Sequence, residues 1–247
     1  LENRPDLNEP TDATAILNNV QAILGLVEQE ADPSNQQGYM TAPMGEALRV
    51  AGVYRAGLPE ARGGPEVPLA DQTRMVEMVA RVDASIAWNV TVLAATGFYA
   101  GRLSDRGFAE LYPTPDLATC GSFHPKGTAR QVEGGYLVTG EWKFGSGIRS
   151  SDLIVGGAEV VNSSGEPVLK PDGSQLTLGV WLPRDLVKLR DDWHTIGLSG
   201  SGSQGYAVDN AFVPSDHTFD RFFTPNPNAS PLVKHYDLPF FSMAGIS

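Results

Sequence analysis

The sequence has few cysteines and histidines, the residues that form disulfides and structural zinc sites. It contains one cysteine, Cys120, and four histidines among 247 residues. A single cysteine can form neither an internal disulfide nor a thiolate metal cluster, and a structural zinc site is not expected. Cys120 lies on a predicted strand, where it is either a buried structural thiol or a reactive one.

Basic charge and long apolar runs are also scarce. The net charge is −11, which disfavours nucleic acid and anionic membranes as partners because both need a basic surface. No apolar run approaches the roughly 18 residues that span a bilayer. The first residues, LENRPDLNEP, lack the basic segment and apolar core of a secretory signal. We therefore expect a soluble, cytoplasmic protein.

The common phosphate-binding and hydrolase motifs are missing. No G-x-G-x-x-G follows a strand, and the sequence contains no G-x-x-x-x-G-K-[ST], H-E-x-x-H or G-x-S-x-G. The glycine- and serine-rich run at residues 197–205, GLSGSGSQG, is either a ligand-binding loop or a flexible turn.

The sequence that remains divides into two halves of different periodicity. Apolar spacing in the first half predicts helices with a buried face, and the almost wholly apolar segment 84–99 predicts a helix buried on most sides. The predicted helices cover a segment from a cap at Thr11 or Asp12 through Val27, then residues 44–56, 71–82, 84–99 and 105–111.

After residue 116 the pattern changes to short β-branched and aromatic runs separated by turn residues, which predicts strands. We predict an α+β fold, with an N-terminal all-α domain (1–116) followed by a small antiparallel β-barrel or sandwich (117–225). Residues 226–247 are predicted to be a linker and the start of a C-terminal helical domain.

One junction raises a question about function. In GEWKFGSGIRSSD (residues 140–152), the bulky residues Trp142 and Phe144 run directly into small ones. This stretch is either an ordinary hairpin end or a place where a flat ring lies against an aromatic side chain, close to a hydroxyl and bare backbone.

The order of several segments resembles the acyl-CoA dehydrogenase superfamily, and most closely its branch of two-component flavin-dependent monooxygenases. A helical half leads to TCGSFHPKGTA (119–129), then to GGYLVTGEWKFGSG (134–147), and then to DDWHTIGLSGSGSQGYAVDNAFVP (191–214). The segments ARVDASIAWNVTVLA and VYRAGLPEARGG also fit the helical domain of that family. The resemblance covers nearly the whole chain and implies a C-terminal four-helix bundle that is missing from it.

The resemblance implies a reduced flavin, FMN or FAD, and assigns residues to it. Phe144 takes the place of the aromatic residue that packs on the ring, and Ser146 that of a hydroxyl near flavin N5. The implied cofactor-binding residues are Gly121, Ser122, Gly127, Thr128, Phe144, Ser146 and Trp193.

The resemblance also implies substrate contacts. Trp88 and Asn89 lie on the helix that faces flavin and substrate in the family. Trp88 is a candidate catalytic residue for this reason, and Ser146 is another because of its implied position near flavin N5. With His194, Trp88 and Asn89 are the candidate substrate contacts. A purely structural role remains open for Trp88 and His194.

The implied reaction is hydroxylation of a small aromatic or heteroaromatic molecule by O₂ through a flavin C4a-hydroperoxide. A separate flavin reductase and, for the complete protein, a homotetramer are the implied partners. Two alternatives stay open, an acyl-CoA dehydrogenase and a non-catalytic binding or assembly protein. The dehydrogenase pattern has a glutamate where this chain has Phe123, which favours the hydroxylase.

Overall fold

In a computed structural model, which describes residues 7–95 and 97–220, helices come first and strands follow. The helices are α1 (Ala13–Gln37), α2 (Ala42–Val50), α3 (Leu69–Ala80), α4 (Ala84–Ala95), α5 (Gly97–Ala100) and α6 (Asp105–Leu111). The strands are β1 (Thr119–Val132), β2 (Gly135–Gly145), β3 (Leu153–Val161), β4 (Thr177–Pro183), β5 (Lys188–Leu189), β6 (Gln204–Pro214) and β7 (Thr218–Asp220). The predicted linker and C-terminal helix at 226–247 lie outside the described residues.

Helix α1 begins where the sequence places its cap. The Asp12 carboxylate accepts a 2.8 Å hydrogen bond from the backbone N–H of Ala15, which satisfies one of the free donors at the start of the helix. The predicted apolar face is buried, with Ile16, Val20 and Ile23 at most 2% exposed.

Helix α2 is shorter than predicted, since it ends at Val50 and not at residue 56. Gly52 has a φ of +86°, a left-handed conformation that ends a helix and favours glycine. A side chain on Gly52 would also lie 2.3 Å from Pro10. The Val53 N–H then turns back to the carbonyl of Leu48 at 3.0 Å.

The almost wholly apolar segment forms helix α4, which ends at Ala95 and not at residue 99 as predicted, and the separate short helix α5 follows. Along α4, every residue from Ser85 to Ala95 except Trp88 is buried. Trp88 is half-buried and reaches the β-half, as described below. The prediction that the helix is buried on most sides is confirmed.

The strands form one seven-stranded sheet in the order β5-β6-β2-β1-β3-β4-β7. A turn at Gly134 closes the β1–β2 hairpin, which pairs Val132 with Gly135. The sheet is mostly antiparallel, as predicted, with one exception: β1 and β3 pair in parallel. The helical segment Ile148–Ser150 between β2 and β3 belongs to the crossover that parallel neighbours require.

Trp142 is the centre of the β-half core. Its ring is 1% exposed, and its Nε1–H donates to the carbonyl of Gly157 at 2.9 Å. Side chains on Gly127, Gly140 or Gly156 would lie within 2.7 Å of the indole ring. These glycines therefore let strands β1, β2 and β3 close around one large side chain.

Candidate functional site

Phe144, at the end of strand β2, is an exposed aromatic residue in an unusual backbone conformation. Its side chain is 67% exposed and its φ is +64°, which is unfavourable for a residue with a bulky side chain. Its ring meets the edge of Trp193 at a centroid distance of 6.4 Å and an interplanar angle of 88°. Folding gains little from an exposed phenyl ring, so this geometry points to a ligand.

Ser146 lies two residues further along and is almost fully buried. Its hydroxyl accepts a 2.8 Å hydrogen bond from Nε1 of Trp88 and shares a 2.7 Å bond with the hydroxyl of Ser203. Ser203 is in turn 2.7 Å from the hydroxyl of Ser201. The two predicted catalytic residues are thus in direct contact, and a chain of hydroxyls continues behind them.

The glycine- and serine-rich run is an ordered part of this site. Ser201, Ser203 and Gln204 are all at most 5% exposed, and the backbone N–H of Gly147 donates to the carbonyl of Ser201 at 2.9 Å. Residues 200–205 have the G-x-G-x-x-G spacing, but they lead into strand β6 and not into a helix. They are therefore no dinucleotide fingerprint, and Ser203 is a site residue that the sequence did not single out.

Asn89 connects helix α4 to the glycine- and serine-rich run at residues 197–205 through a hydrogen bond. Its Nδ2–H donates to the carbonyl of Gly200 at 3.3 Å, whereas its Oδ1 is buried without a hydrogen-bond partner among the described residues. Asn35 of helix α1 accepts the Gly200 N–H at 2.9 Å. The loop is thus held by two helices. The assignment of Asn89 to substrate stays a prediction, and its side chain is 0% exposed.

The loop predicted to approach the flavin from β1 has packing constraints of its own. A side chain on Gly121 would lie 2.1 Å from the carbonyl oxygen of Val155, and the Ser122 N–H donates to the Tyr206 hydroxyl at 2.7 Å. Gly127 makes room for Trp142, and Thr128 is exposed. Packing alone accounts for both glycines, so the assignment of this loop to the cofactor stays a prediction.

Phe123 sits in an aromatic cluster. Its ring centroid lies 4.3 Å from that of Tyr99, 5.7 Å from that of Phe219 and 6.0 Å from that of Trp181. The position that carries a glutamate in the dehydrogenase pattern is therefore filled here by apolar packing.

A cleft of about 540 Å³ opens beside Trp193, between the C-terminal end of helix α1 and the loop that follows β5. Trp193 and His194 line it, together with Tyr39, Arg149 and Gln204. The volume is in the range of pockets for small molecules. Trp193 thus contacts the Phe144 ring and also lines this cleft, while His194 is exposed in the cleft wall.

Cys120 is a structural thiol. It is 0% exposed, and burial raises its pKa to about 12, so it carries no thiolate near neutral pH. Within residues 7–95 and 97–220 we find no group of three or more acidic, histidine or cysteine side chains that could hold a metal ion. In the same ranges, no helix combines the length and hydrophobicity needed to cross a bilayer.

No protein-family model matches the chain, but individual proteins do. Indole-3-acetate monooxygenase of Pseudomonas putida is 30% identical over 214 residues, which are 86% of this chain and 50% of that protein. The oxygenase subunit HsaA of a flavin-dependent monooxygenase from Mycobacterium tuberculosis is 27% identical over 236 residues, which cover 90% of this chain and 57% of that protein. The chain thus spans little more than half the length of these relatives.

Solved structures share the fold. The crystal structure of the M. tuberculosis HsaA monooxygenase superimposes with a TM-score of 0.79 at 22% identity, covering 90% of this chain and 59% of that one. XiaF from a Streptomyces species, in complex with FADH2 and glycerol, gives a TM-score of 0.77 at 20% identity, covering 84% of this chain and 51% of that one.

Proposed function

We propose that this chain belongs to the oxygenase component of a two-component flavin-dependent monooxygenase that hydroxylates a small aromatic or heteroaromatic molecule. One relative is named an indole-3-acetate monooxygenase and another the oxygenase subunit of a flavin-dependent monooxygenase, and the HsaA monooxygenase shares the fold, which supports the resemblance seen in the sequence. The observation that carries the proposal is the exposed Phe144 beside the Trp88–Ser146 contact.

The residues present fit a flavin. The exposed ring of Phe144 offers a flat apolar surface to an isoalloxazine. The hydroxyl of Ser146 is held at a fixed position for a hydrogen bond to a ring nitrogen. Reduced FMN or FAD would supply the electrons that activate O₂. XiaF, a protein with the same fold, was crystallised with FADH2.

The role of Ser146 follows from its contacts. Trp88 donates to its oxygen and Ser203 fixes its other side, so the hydroxyl cannot rotate freely toward solvent. The neighbouring helix α4 is apolar almost all round, which excludes water from this side of the ring. We therefore assign to the Ser146 hydroxyl a hydrogen bond to a nitrogen of the flavin ring, in surroundings from which water is excluded.

The acyl-CoA dehydrogenase alternative finds less support in the structure. Phe123 packs among Tyr99, Trp181 and Phe219, and a glutamate there would put a charge into an apolar cluster. Bleaching of the oxidised flavin by an acyl-CoA would favour the dehydrogenase. Failure of the full-length protein to bind FMN or FAD would favour a non-catalytic role.

The remaining parts of the proposal concern the complete protein. HsaA is the oxygenase subunit of a flavin-dependent monooxygenase, which supports a separate reductase that delivers reduced flavin. We further propose that the β-half closes into a small barrel or sandwich, that a C-terminal four-helix bundle covers the flavin, and that the protein is a cytoplasmic homotetramer.

Replacing Ser146 by alanine tests the proposed site. We expect Ser146→Ala to raise the fraction of O₂ released as hydrogen peroxide about tenfold, with a smaller change in substrate affinity, because one hydrogen bond at the ring is lost. The measurement is the ratio of hydroxylated product to peroxide with reduced flavin. Ser163→Ala, on an exposed loop, is the control, and an unchanged ratio in Ser146→Ala would refute the role.

A further inference from the structure

We infer that the cleft beside Trp193 is an anion-binding subsite in which Arg149 receives a carboxylate or phosphate group. The inference rests on the proposed function, because the anion belongs either to the aromatic substrate or to the flavin. It names a residue and a ligand chemistry that the sequence did not indicate.

Arg149 has no carboxylate partner within the described residues. Most other arginines there are neutralised by ion pairs within 4.0 Å: Arg49, Arg55, Arg62, Arg74, Arg81, Arg106 and Arg190. Arg130 and Arg184 also lack an ion pair among the described residues, but of these three arginines only Arg149 lines the cleft. Its charge is available to a ligand.

The guanidinium of Arg149 is nevertheless held in place. Its Nε–H donates to Oε1 of Gln204 at 2.8 Å, and Gln204 itself is only 4% exposed. Its Cζ lies 4.5 Å from the ring centroid of Tyr39, a distance typical of a cation–π contact. These two contacts reduce the entropy that the side chain loses when it binds a ligand.

The same contacts leave one edge of the guanidinium free. A guanidinium binds a carboxylate or phosphate through two parallel N–H groups. Because Nε is taken by Gln204, the end-on pair Nη1 and Nη2 remains, and the described residues provide no hydrogen-bond partner for it. The cleft adds neutral polar neighbours, among them Gln36 and Thr195.

Trp193 connects this cleft to the proposed flavin surface. It lines the cleft and packs perpendicular to the Phe144 ring. The cleft with Arg149 is therefore next to the aromatic surface of Phe144, where a molecule that carries both a flat ring and an acidic group would contact both. An aromatic acid and the phosphate end of FMN both fit that description.

One carboxylate in the cleft opposes the anion. Asp191 also lines it and has no ion-pair partner within the described residues. Its negative charge must weaken anion binding. Removal of this charge should therefore lower the Kd of an anionic probe, whereas removal of the Arg149 charge should raise it.

The experiment measures dissociation constants for two matched pairs of probes on the full-length protein. FMN and riboflavin differ by the phosphate, and indole-3-acetate and indole-3-acetamide differ by the charged oxygen. If the anion is a phosphate, Arg149→Gln raises the Kd of FMN about tenfold and leaves riboflavin unchanged. If it is a carboxylate, the same split is seen between the acid and the amide.

Three variants make the result specific. Asp191→Asn is expected to lower the Kd of the same anionic probe two- to threefold at low ionic strength, and Arg149→Lys to recover part of the loss. Arg74→Gln removes the same charge from a distant, 69% exposed side chain and is expected to change no Kd.

Equal effects of Arg149→Gln and Arg74→Gln in both probe pairs would overturn the inference. This result is distinct from failure of the proposed function, in which the wild-type protein binds no flavin at all. That failure would overturn both.

Discussion

Two aromatic residues two positions apart on strand β2 have opposite environments. Trp142 is 1% exposed and donates its indole N–H to a backbone carbonyl, whereas Phe144 is 67% exposed at a φ of +64°. Around Trp142, the lack of a side chain at Gly127, Gly140 and Gly156 is explained by the ring that they accommodate. Around Phe144, the packing of the described residues leaves the exposed ring unexplained. The difference distinguishes a residue that stabilises the fold, Trp142, from one whose exposed ring is available to bind a ligand, Phe144.

The largest expected effect is on the Trp142 side. A Cβ on Gly127 would lie 2.5 Å from Cζ2 of Trp142, so Gly127→Ala is expected to lower the free energy of unfolding by about 3 kcal/mol through overpacking. Denaturant unfolding measures it. The same change at Gly25 in helix α1 meets no atom within 4 Å, and Gly25→Ala should be neutral or stabilising. Equal stabilities for the two variants would contradict the assignment.

A smaller effect is expected at Tyr206, whose hydroxyl joins three strands. It donates to the carbonyl of Val155 at 2.5 Å and accepts the Ser122 N–H at 2.7 Å. Tyr206→Phe should lower the free energy of unfolding by about 1–3 kcal/mol, because two backbone groups lose their partner. Tyr136→Phe, which removes a hydroxyl from a half-buried ring, should change it little. A comparable decrease in the free energy of unfolding in both variants would contradict a stabilising role for the two hydrogen bonds of the Tyr206 hydroxyl.

The smallest change is expected at Cys120, where burial raises the pKa to about 12. A thiol reagent at pH 8 should leave the native protein unlabelled, and labelling should proceed only after unfolding. Because the thiol pKa is higher in the folded state, this group stabilises the fold fully below about pH 8.5, the ordinary thiol pKa. That contribution falls as pH rises toward 12. Rapid native-state labelling would contradict the described burial.

The local features of the α-half could be predicted from the sequence, but the long-range contacts could not. Asp12 as a cap and the boundaries of α6 follow from neighbouring residues, whereas the end of α2 depends on the left-handed conformation of Gly52. The parallel pairing of β1 with β3 was missed because alternation along a strand carries no information on its direction.

The same distinction holds for the site. Trp88 and Ser146 were each predicted, but their hydrogen bond joins residues 58 positions apart, which no local pattern specifies. Ser203 and Arg149 were missed for a related reason. Both lie in stretches that the sequence marks as unusual, 197–205 and 140–152, but only the fold brings Ser203 to Ser146 and Arg149 to the cleft.

The most direct test of the central claim compares two exposed phenylalanines. Phe144 is 67% exposed and Phe212, on strand β6, is 50% exposed, so alanine at either position should change the free energy of unfolding by less than about 1 kcal/mol. Titration of the full-length variants with reduced FMN and FAD should show at least about tenfold weaker binding for Phe144→Ala and wild-type binding for Phe212→Ala. Equal flavin affinities in the two variants would contradict the assignment of this strand end to the cofactor.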